Sequence, residues 1–192
     1  SKDYVKVNIL LSQEKVRPGD EFMVAVVIDI RPGYHIYGPV KDDRTEFPTS
    51  LRPEAPIDGI VFDAPRFPAP VEKTYEMLGG KLRLYEGKVA ILLTARVTDR
   101  ATPGVKDMAF LLTILACTEE GCRVPSVDIR YAAPLTVVAL GEAVVQQHQE
   151  LFASASSAST GTGGGGDFAD TLKQEGLLYA LASLFLGGLL SC

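Results

Sequence analysis

The sequence predicts an all-β domain, an immunoglobulin-like antiparallel β-sandwich, followed by a flexible linker and a C-terminal apolar helix. Three observations indicate this fold: apolar residues alternate with polar ones in several runs, Pro and Gly residues separate those runs, and no run in the first 140 residues has a helical period. We therefore place the sandwich at residues 1–140, a short helix or tail at 141–152, the linker at 153–166 and the truncated start of a transmembrane helix at 167–192.

The individual strands are predicted where apolar side chains recur at every second position, which is the pattern of a half-buried strand. In chain order these runs are 5–11, 22–30, 89–97, 108–117 and 135–140. The run 108–117 is nearly continuous in apolar residues, as expected of a central strand that is covered on both faces. Between the second and third runs, prolines at 53, 56, 65, 68 and 70 disfavour helix and suit long connections.

The C-terminal part has a different composition. Residues 153–166 are all Ser, Gly, Ala or Thr, which cannot form a hydrophobic core. This composition is typical of a flexible linker. From residue 176 to the end no charged residue occurs, over a length close to the roughly 17–25 residues that span a membrane as a helix. We favour the start of a transmembrane helix over the alternative, an amphipathic helix that folds back on the sandwich.

Charge and cysteine content exclude some classes of protein. The formal net charge is −5 and no Lys/Arg-rich run occurs, so a nucleic-acid-binding protein is not predicted. Three cysteines are too few for a small disulfide-rich scaffold. Two of them, Cys117 and Cys122, lie close together, and Cys192 is the last residue. The N-terminus resembles no signal peptide, which suits either a cytosolic protein or the mature form of an exported one.

Histidine offers little catalytic or metal-binding potential. The chain has two, His35 in a short aromatic strand and His148 in a polar stretch, and we interpret His148 as solvated surface. Two cysteines and two distant histidines make a weak case for zinc, so no metal site is predicted. A Cys–His pair with His35 is conceivable, but no third orienting group is evident, and a packed strand residue is the favoured interpretation.

The segment around Cys117 and Cys122 carries the remaining chemistry. Cys117 ends the most apolar run, and the residues between the cysteines have the composition of a turn. A disulfide here would close a six-residue loop and would stabilise the fold by only about 2 kcal/mol. A structural disulfide and a redox-active pair are therefore both open interpretations. Glu119 and Glu120 disfavour a thiolate, and Arg123 offsets them in part. The pair should exchange only inside a specific complex.

These segments resemble the N-terminal periplasmic domain of the DsbD family of bacterial thiol:disulfide interchange proteins. The resemblance rests on the Cys…Gly…Cys…Pro segment at 116–125, the aromatic strand at 33–37, a loop-forming stretch at 70–84 and the apolar C-terminus at 175–192. It implies an immunoglobulin-like fold with a redox-active cysteine pair. In such a site Cys122 would form the mixed disulfide with a partner and Cys117 would resolve it. The flanking or capping residues would be His35, Tyr37, Tyr75, Glu119 and Glu120.

The resemblance also implies partners and a location. The domain would take electrons from a thioredoxin-like domain and pass them to periplasmic disulfide isomerases and cytochrome c maturation proteins, without a cofactor. It would be periplasmic and tethered to the inner membrane by its C-terminal helix. Two alternatives remain: an immunoglobulin-like binding or adhesion module whose disulfide is structural, and a stand-alone sandwich with regulatory thiols.

Overall fold

The computed structural model describes residues 4–39, 47–75 and 80–157. Its strands are β1 (Val5–Leu11), β2 (Lys15–Val16), β3 (Glu21–Ile30), β4 (His35–Tyr37), β5 (Ser50–Pro53), β6 (Ile60–Phe62), β7 (Val71–Tyr75), β8 (Gly80–Tyr85), β9 (Lys88–Val97), β10 (Gly104–Ile114), β11 (Ala116–Thr118), β12 (Gly121–Cys122) and β13 (Ser126–Val137). One helix, α1 (Gln149–Ser157), follows them in the described part of the chain.

The strands form three sheets. Two have four strands, in the orders β1-β3-β9-β6 and β2-β13-β10-β5, and the third has five, in the order β12-β11-β4-β8-β7. Within the described residues, all strand pairs are antiparallel except the short parallel contact between β2 and β13. The prediction of an all-β fold with antiparallel sheets is confirmed, and the arrangement is consistent with an immunoglobulin-like sandwich.

The main core is built from the apolar residues of the long strands. Phe22 and Ile28 of β3 and Phe110 of β10 are almost completely buried. Phe62 and Phe110 contact edge to face with ring centroids 5.4 Å apart. Burying side chains of this size contributes roughly 1.5–3 kcal/mol each, so this cluster is the main source of stability.

The prediction of a single strand over residues 108–117 is wrong. The chain forms β10 up to Ile114 and then β11 from Ala116, and these two strands belong to different sheets. An irregularity in the pairing of β10 with β13, between Leu112 and Ile114, comes just before the chain leaves the sheet that these two strands share. A continuous apolar run does not reveal this break, because both strands need apolar residues on the faces that they bury.

The last predicted strand, 135–140, is also displaced. The strand β13 starts at Ser126 and runs through Pro134, which pairs with Asp107. Among the described residues, β2 joins the other side of β13 only at Thr136 and Val137. The chain around Pro134 is therefore an edge, where a residue without an N–H group is tolerated. The first half of β13 is mostly exposed, which is why it lacks a clear apolar pattern.

Only the beginning of the C-terminal region lies within the described residues. Residues 1–148 form one unit, and α1 belongs to a second. The helix begins at Gln149, near the end of the segment 141–152 where a short helix or tail was expected. It continues to Ser157, inside the predicted linker. The rest of the linker and the predicted transmembrane helix lie outside the described residues. Within those residues, no helix has the length and apolar character needed to cross a membrane.

Candidate redox site

The five-stranded sheet brings most of the predicted site residues together. Cys117 of β11 pairs with Cys122 of β12 on one side and with His35 of β4 on the other. Direct cross-strand partners place their side chains on the same face of a sheet, so these three form a row on one face. Tyr37, two residues after His35 on β4, lies on that face too and pairs with Leu84 of β8.

The two cysteines form a disulfide with sulfurs 2.05 Å apart. The backbone explains why they meet. The N–H of Arg123 donates to the carbonyl of Ala116 over 2.9 Å, and this bond flanks the cysteine pair. The cysteines therefore occupy a non-hydrogen-bonded position of the hairpin, where facing side chains come closest, and their Cα atoms are 3.9 Å apart.

The turn between the cysteines is short and polar. Glu119 and Glu120 are its two central residues, between the paired Thr118 and Gly121. The Thr118 hydroxyl donates to the Gly121 carbonyl over 3.3 Å and accepts from the N–H of Glu120 over 3.3 Å. Both glutamates are exposed, so the sheet presents two carboxylates next to the disulfide.

The two sulfurs differ in their surroundings. Cys117 is 1% exposed, whereas Cys122 is exposed. Cys117 packs in a small apolar cluster, separate from the main core, with the buried Tyr37, Leu82 and Leu84, and Leu115 contacts the same cluster. Cys122 is therefore the more accessible residue of the disulfide.

His35 is 5% exposed and lies beside Cys117 in the sheet. Its ring contacts that of Tyr37 edge to face, with centroids 6.4 Å apart. Burial lowers the pKa of His35, an effect that Glu86 and Glu119 oppose and Lys73 reinforces. Lys73 and Glu86 themselves form an ion pair of 2.5 Å. The imidazole next to the buried sulfur is consequently neutral at neutral pH.

The lowered pKa of His35 predicts a pH-dependent stability. Below its ordinary pKa of 6.5, the unfolded chain takes up a proton at this position more readily than the folded chain. The free energy of unfolding should therefore fall as the pH drops from 7.5 to 5, and His35→Gln should remove this part of the slope. Urea unfolding at several pH values measures both slopes. Equal slopes in the two proteins would contradict the prediction.

The predicted cap is only partly described. The backbone of Tyr75 ends β7 and pairs with Gly80 in the same five-stranded sheet as the cysteines. Its side chain and residues 76–79 lie outside the described part of the structure. The structure thus locates Tyr75 in the cysteine sheet, and its role as a cap remains a prediction.

Two features of this region were not predicted from the sequence. One is the apolar cluster around Cys117, whose members Leu82 and Leu84 alternate along β8 and could have been found from that alternation. The other is a contact of Arg123 with Tyr34 and Tyr4, which has no local sequence signal. In the described residues, no group of three or more His, Cys, Asp or Glu side chains is placed to hold a metal ion.

Comparison with known proteins assigns the domain to a class. A protein-family model described as "Thiol:disulfide interchange protein DsbD, N-terminal" matches residues 6–130, which is more than half of the chain and includes the whole cysteine hairpin. The match makes this disulfide-bearing β domain a thiol–disulfide exchange module. More specifically, the chain belongs to the family of DsbD N-terminal domains.

The solved structures that resemble the chain include two N-terminal domains. The Neisseria meningitidis DsbD N-terminal domain in the reduced form is 18% identical, with a TM-score of 0.40, and the match covers 77% of this chain and 93% of that chain. The N-terminal periplasmic domain of ScsB from Proteus mirabilis is 12% identical, with a TM-score of 0.49 and coverage of 82% and 54%. The matched region thus spans about half the length of the ScsB chain. A comparison with curated protein sequences finds no relative.

Proposed function

We propose that this domain is a periplasmic protein-disulfide reductase that relays electrons from a thioredoxin-like domain to periplasmic disulfide isomerases and cytochrome c maturation proteins. The observation that carries the proposal is a disulfide between an exposed residue, Cys122, and a buried one, Cys117, on a hairpin at the edge of a sheet. Membership of the DsbD N-terminal family supports it.

The domain would be reduced by attack on its exposed sulfur. A thiolate of the donor attacks Cys122 Sγ, the Cys117–Cys122 bond breaks, and Cys117 leaves with the electron pair and takes up a proton. The second thiol of the donor then attacks the donor sulfur of the mixed disulfide, which releases Cys122 as a thiol. Two electrons and two protons have reached the domain, and the donor has become a disulfide.

Delivery to the acceptor repeats the chemistry in reverse. The Cys122 thiolate attacks a disulfide of the acceptor, and one acceptor sulfur leaves as a thiol. The Cys117 thiolate then attacks Cys122 Sγ, re-forms the internal disulfide and releases the second acceptor thiol. The burial of Cys117 suits this internal step, since it meets Cys122 directly and is screened from other disulfides.

The surrounding residues would restrict the reaction to bound partners. We assign His35 and Tyr37 to the flank of the sulfur pair and Tyr75 to its cap. The carboxylates of Glu119 and Glu120, in the turn between the cysteines, oppose the formation of a thiolate in the free domain. A docked partner that covers or neutralises them would permit exchange.

A membrane tether is part of the proposal. The linker 153–166 and the predicted transmembrane segment 167–192 would connect the domain to the inner membrane. This arrangement would keep the relay close to a membrane-bound electron source by raising its effective concentration there.

The alternative, an adhesion or binding module with a structural disulfide, explains the hairpin less well. The disulfide closes a very short loop, worth about 2 kcal/mol on chain-entropy grounds. A disulfide that serves only for stability has no need of an exposed cysteine at the edge of a sheet.

Trapping of partners tests the proposed function. The Cys117→Ser variant keeps the exposed thiol and lacks the resolving one, so it should accumulate mixed disulfides with thioredoxin-fold periplasmic proteins, detected on non-reducing gels and identified by mass spectrometry. Cys122→Ser is the matched control and should accumulate few, because Cys117 is buried. The double variant Cys117→Ser/Cys122→Ser corrects for Cys192. If Cys117→Ser captures no such partner, the relay function is wrong.

A further inference from the structure

Arg123, the residue after Cys122, connects the cysteine hairpin to two tyrosines from distant parts of the chain. Its Nη2 donates a hydrogen bond to the hydroxyl of Tyr34 over 2.9 Å. Its Cζ atom lies 5.1 Å from the ring centroid of Tyr4 and 5.7 Å from that of Tyr34. The two rings contact each other, with centroids 4.8 Å apart. The guanidinium thus has both a hydrogen bond and cation–π contacts.

The two tyrosines are held by the sandwich. The carbonyl of Tyr4, just before β1, accepts the N–H of Arg31 over 2.9 Å. The carbonyl of Arg31 in turn accepts the N–H of Tyr34 over 3.0 Å. Both rings pack, partly buried, against the main core. Arg123 therefore rests on a platform that does not depend on the hairpin.

The outer strand of the hairpin, β12, has few other connections among the described contacts. The strands β11 and β12 pair over two residue pairs, one of which is the disulfide itself. Beyond these, the described contacts of the hairpin's outer strand include the Arg123–Ala116 backbone bond and the weak Thr118–Gly121 bond. In the described structure β12 is a two-residue edge strand of the five-stranded sheet, paired through β11. Once the disulfide opens, its outer strand needs another anchor.

We propose that Arg123, resting on Tyr4 and Tyr34, is a positioning residue that holds Cys122 within reach of Cys117 while the disulfide is open. This inference rests on the proposed function in one respect, the order in which Cys122 forms the mixed disulfide and Cys117 resolves it. The speed of an internal reaction depends on how often the reacting atoms meet, and anchoring the strand of Cys122 raises that frequency.

The Arg123 contacts also affect the stability of the disulfide. The closed disulfide and the Arg123 contacts hold the same strand in the same place, so each stabilises the other. Without the Arg123 contacts, the reduced hairpin would sample conformations in which the sulfurs are apart. Re-forming the disulfide would then be less favourable, and the domain would be easier to reduce.

Exchange with glutathione tests the proposal without any protein partner. In the reduced domain, the Cys122 thiolate attacks glutathione disulfide and releases one glutathione; the Cys117 thiolate then displaces the second and closes the internal disulfide. In a Cys192→Ser background, Arg123→Ala should lengthen the lifetime of the glutathione mixed disulfide about tenfold. A tenfold shift of the exchange equilibrium toward the dithiol would raise the reduction potential by about 30 mV. Quenched-flow mass spectrometry and equilibration in glutathione buffers measure the two quantities.

Two further variants control the test. Tyr34→Phe keeps the ring and removes the hydrogen bond, so it should give a smaller change in the same direction, and it serves if Arg123→Ala does not fold. Arg52→Ala removes the same charge from an exposed ion pair with Asp128 on another sheet and should leave both quantities unchanged. Folded Arg123→Ala or Tyr34→Phe with the wild-type lifetime and potential would overturn the proposal, as would an equal change in Arg52→Ala. A failure to trap protein partners would leave this glutathione measurement intact, so the two proposals can fail separately.

Discussion

A Cys122→Ser variant is expected to lose at least about a thousandfold of its activity in reducing a disulfide acceptor, because an alcohol replaces the attacking thiolate. Cys117→Ser should also stop turning over, but for another reason: it attacks once and cannot release its product. The difference follows from burial, since Cys117 is 1% exposed and Cys122 is exposed. Cys122 is therefore expected to be the attacking cysteine and Cys117 the resolving one.

A single-turnover assay separates the two roles. With an aromatic disulfide that releases a coloured thiol, reduced Cys117→Ser should give a burst of about one equivalent and remain as the mixed disulfide. Cys122→Ser should give almost no burst, and the double variant Cys117→Ser/Cys122→Ser sets the background from Cys192. Bursts of equal size in the two single variants would show that Cys117 is as accessible as Cys122 and would reject the assigned order.

A Gly59→Ala variant is expected to lose about 3 kcal/mol of stability. Gly59 has a φ of 71°, a conformation that costs other residues roughly 1–2 kcal/mol. A Cβ atom there would also lie 2.2 Å from the Cα and 2.3 Å from the Cβ of Ala101, which is buried. Overpacking of this kind costs typically 1–3 kcal/mol more, and backbone atoms cannot turn away as a flexible side chain would.

Gly87→Ala is the matched control. Gly87 has a similar φ of 65°, but a Cβ atom there would meet nothing within 4 Å. It should therefore show only the backbone cost, about 1–2 kcal/mol. Urea unfolding of the oxidised proteins, monitored by circular dichroism, gives both values. Equal losses in the two variants would mean that the close approach of Ala101 is relieved at no cost.

The strands of the main core were predictable because their composition is repetitive. The strand β3 and its neighbour β9 each have an apolar residue at every second position over ten positions, and each pairs with the other along nearly its whole length. The pattern failed where burial is weak or where a strand changes sheet. The first half of β13 is mostly exposed, and the break at Leu115 lies inside an apolar run.

The candidate site was predictable to the extent that local sequence determines it. The spacing of Cys117 and Cys122 around turn-forming residues predicts a hairpin, and its register brings the sulfurs together. The resemblance to the DsbD family added His35 and Tyr37, which the sheet places on the face of the cysteines. The cap residue Tyr75 shares that sheet, and its function remains a prediction.

The sequence alone determined the all-β fold class, the close pair of cysteines and the family, because strand periodicity, turn composition and cysteine spacing are local properties. Only the tertiary structure decided which sulfur is exposed and what holds it. Burial of Cys117 depends on Leu82 and Leu84, and the anchor of Cys122 depends on Tyr34, 89 positions before Arg123. Such contacts depend on strand order and register, which follow from the packing of whole sheets. The residues next to Cys117 or Arg123 in the chain therefore do not reveal them.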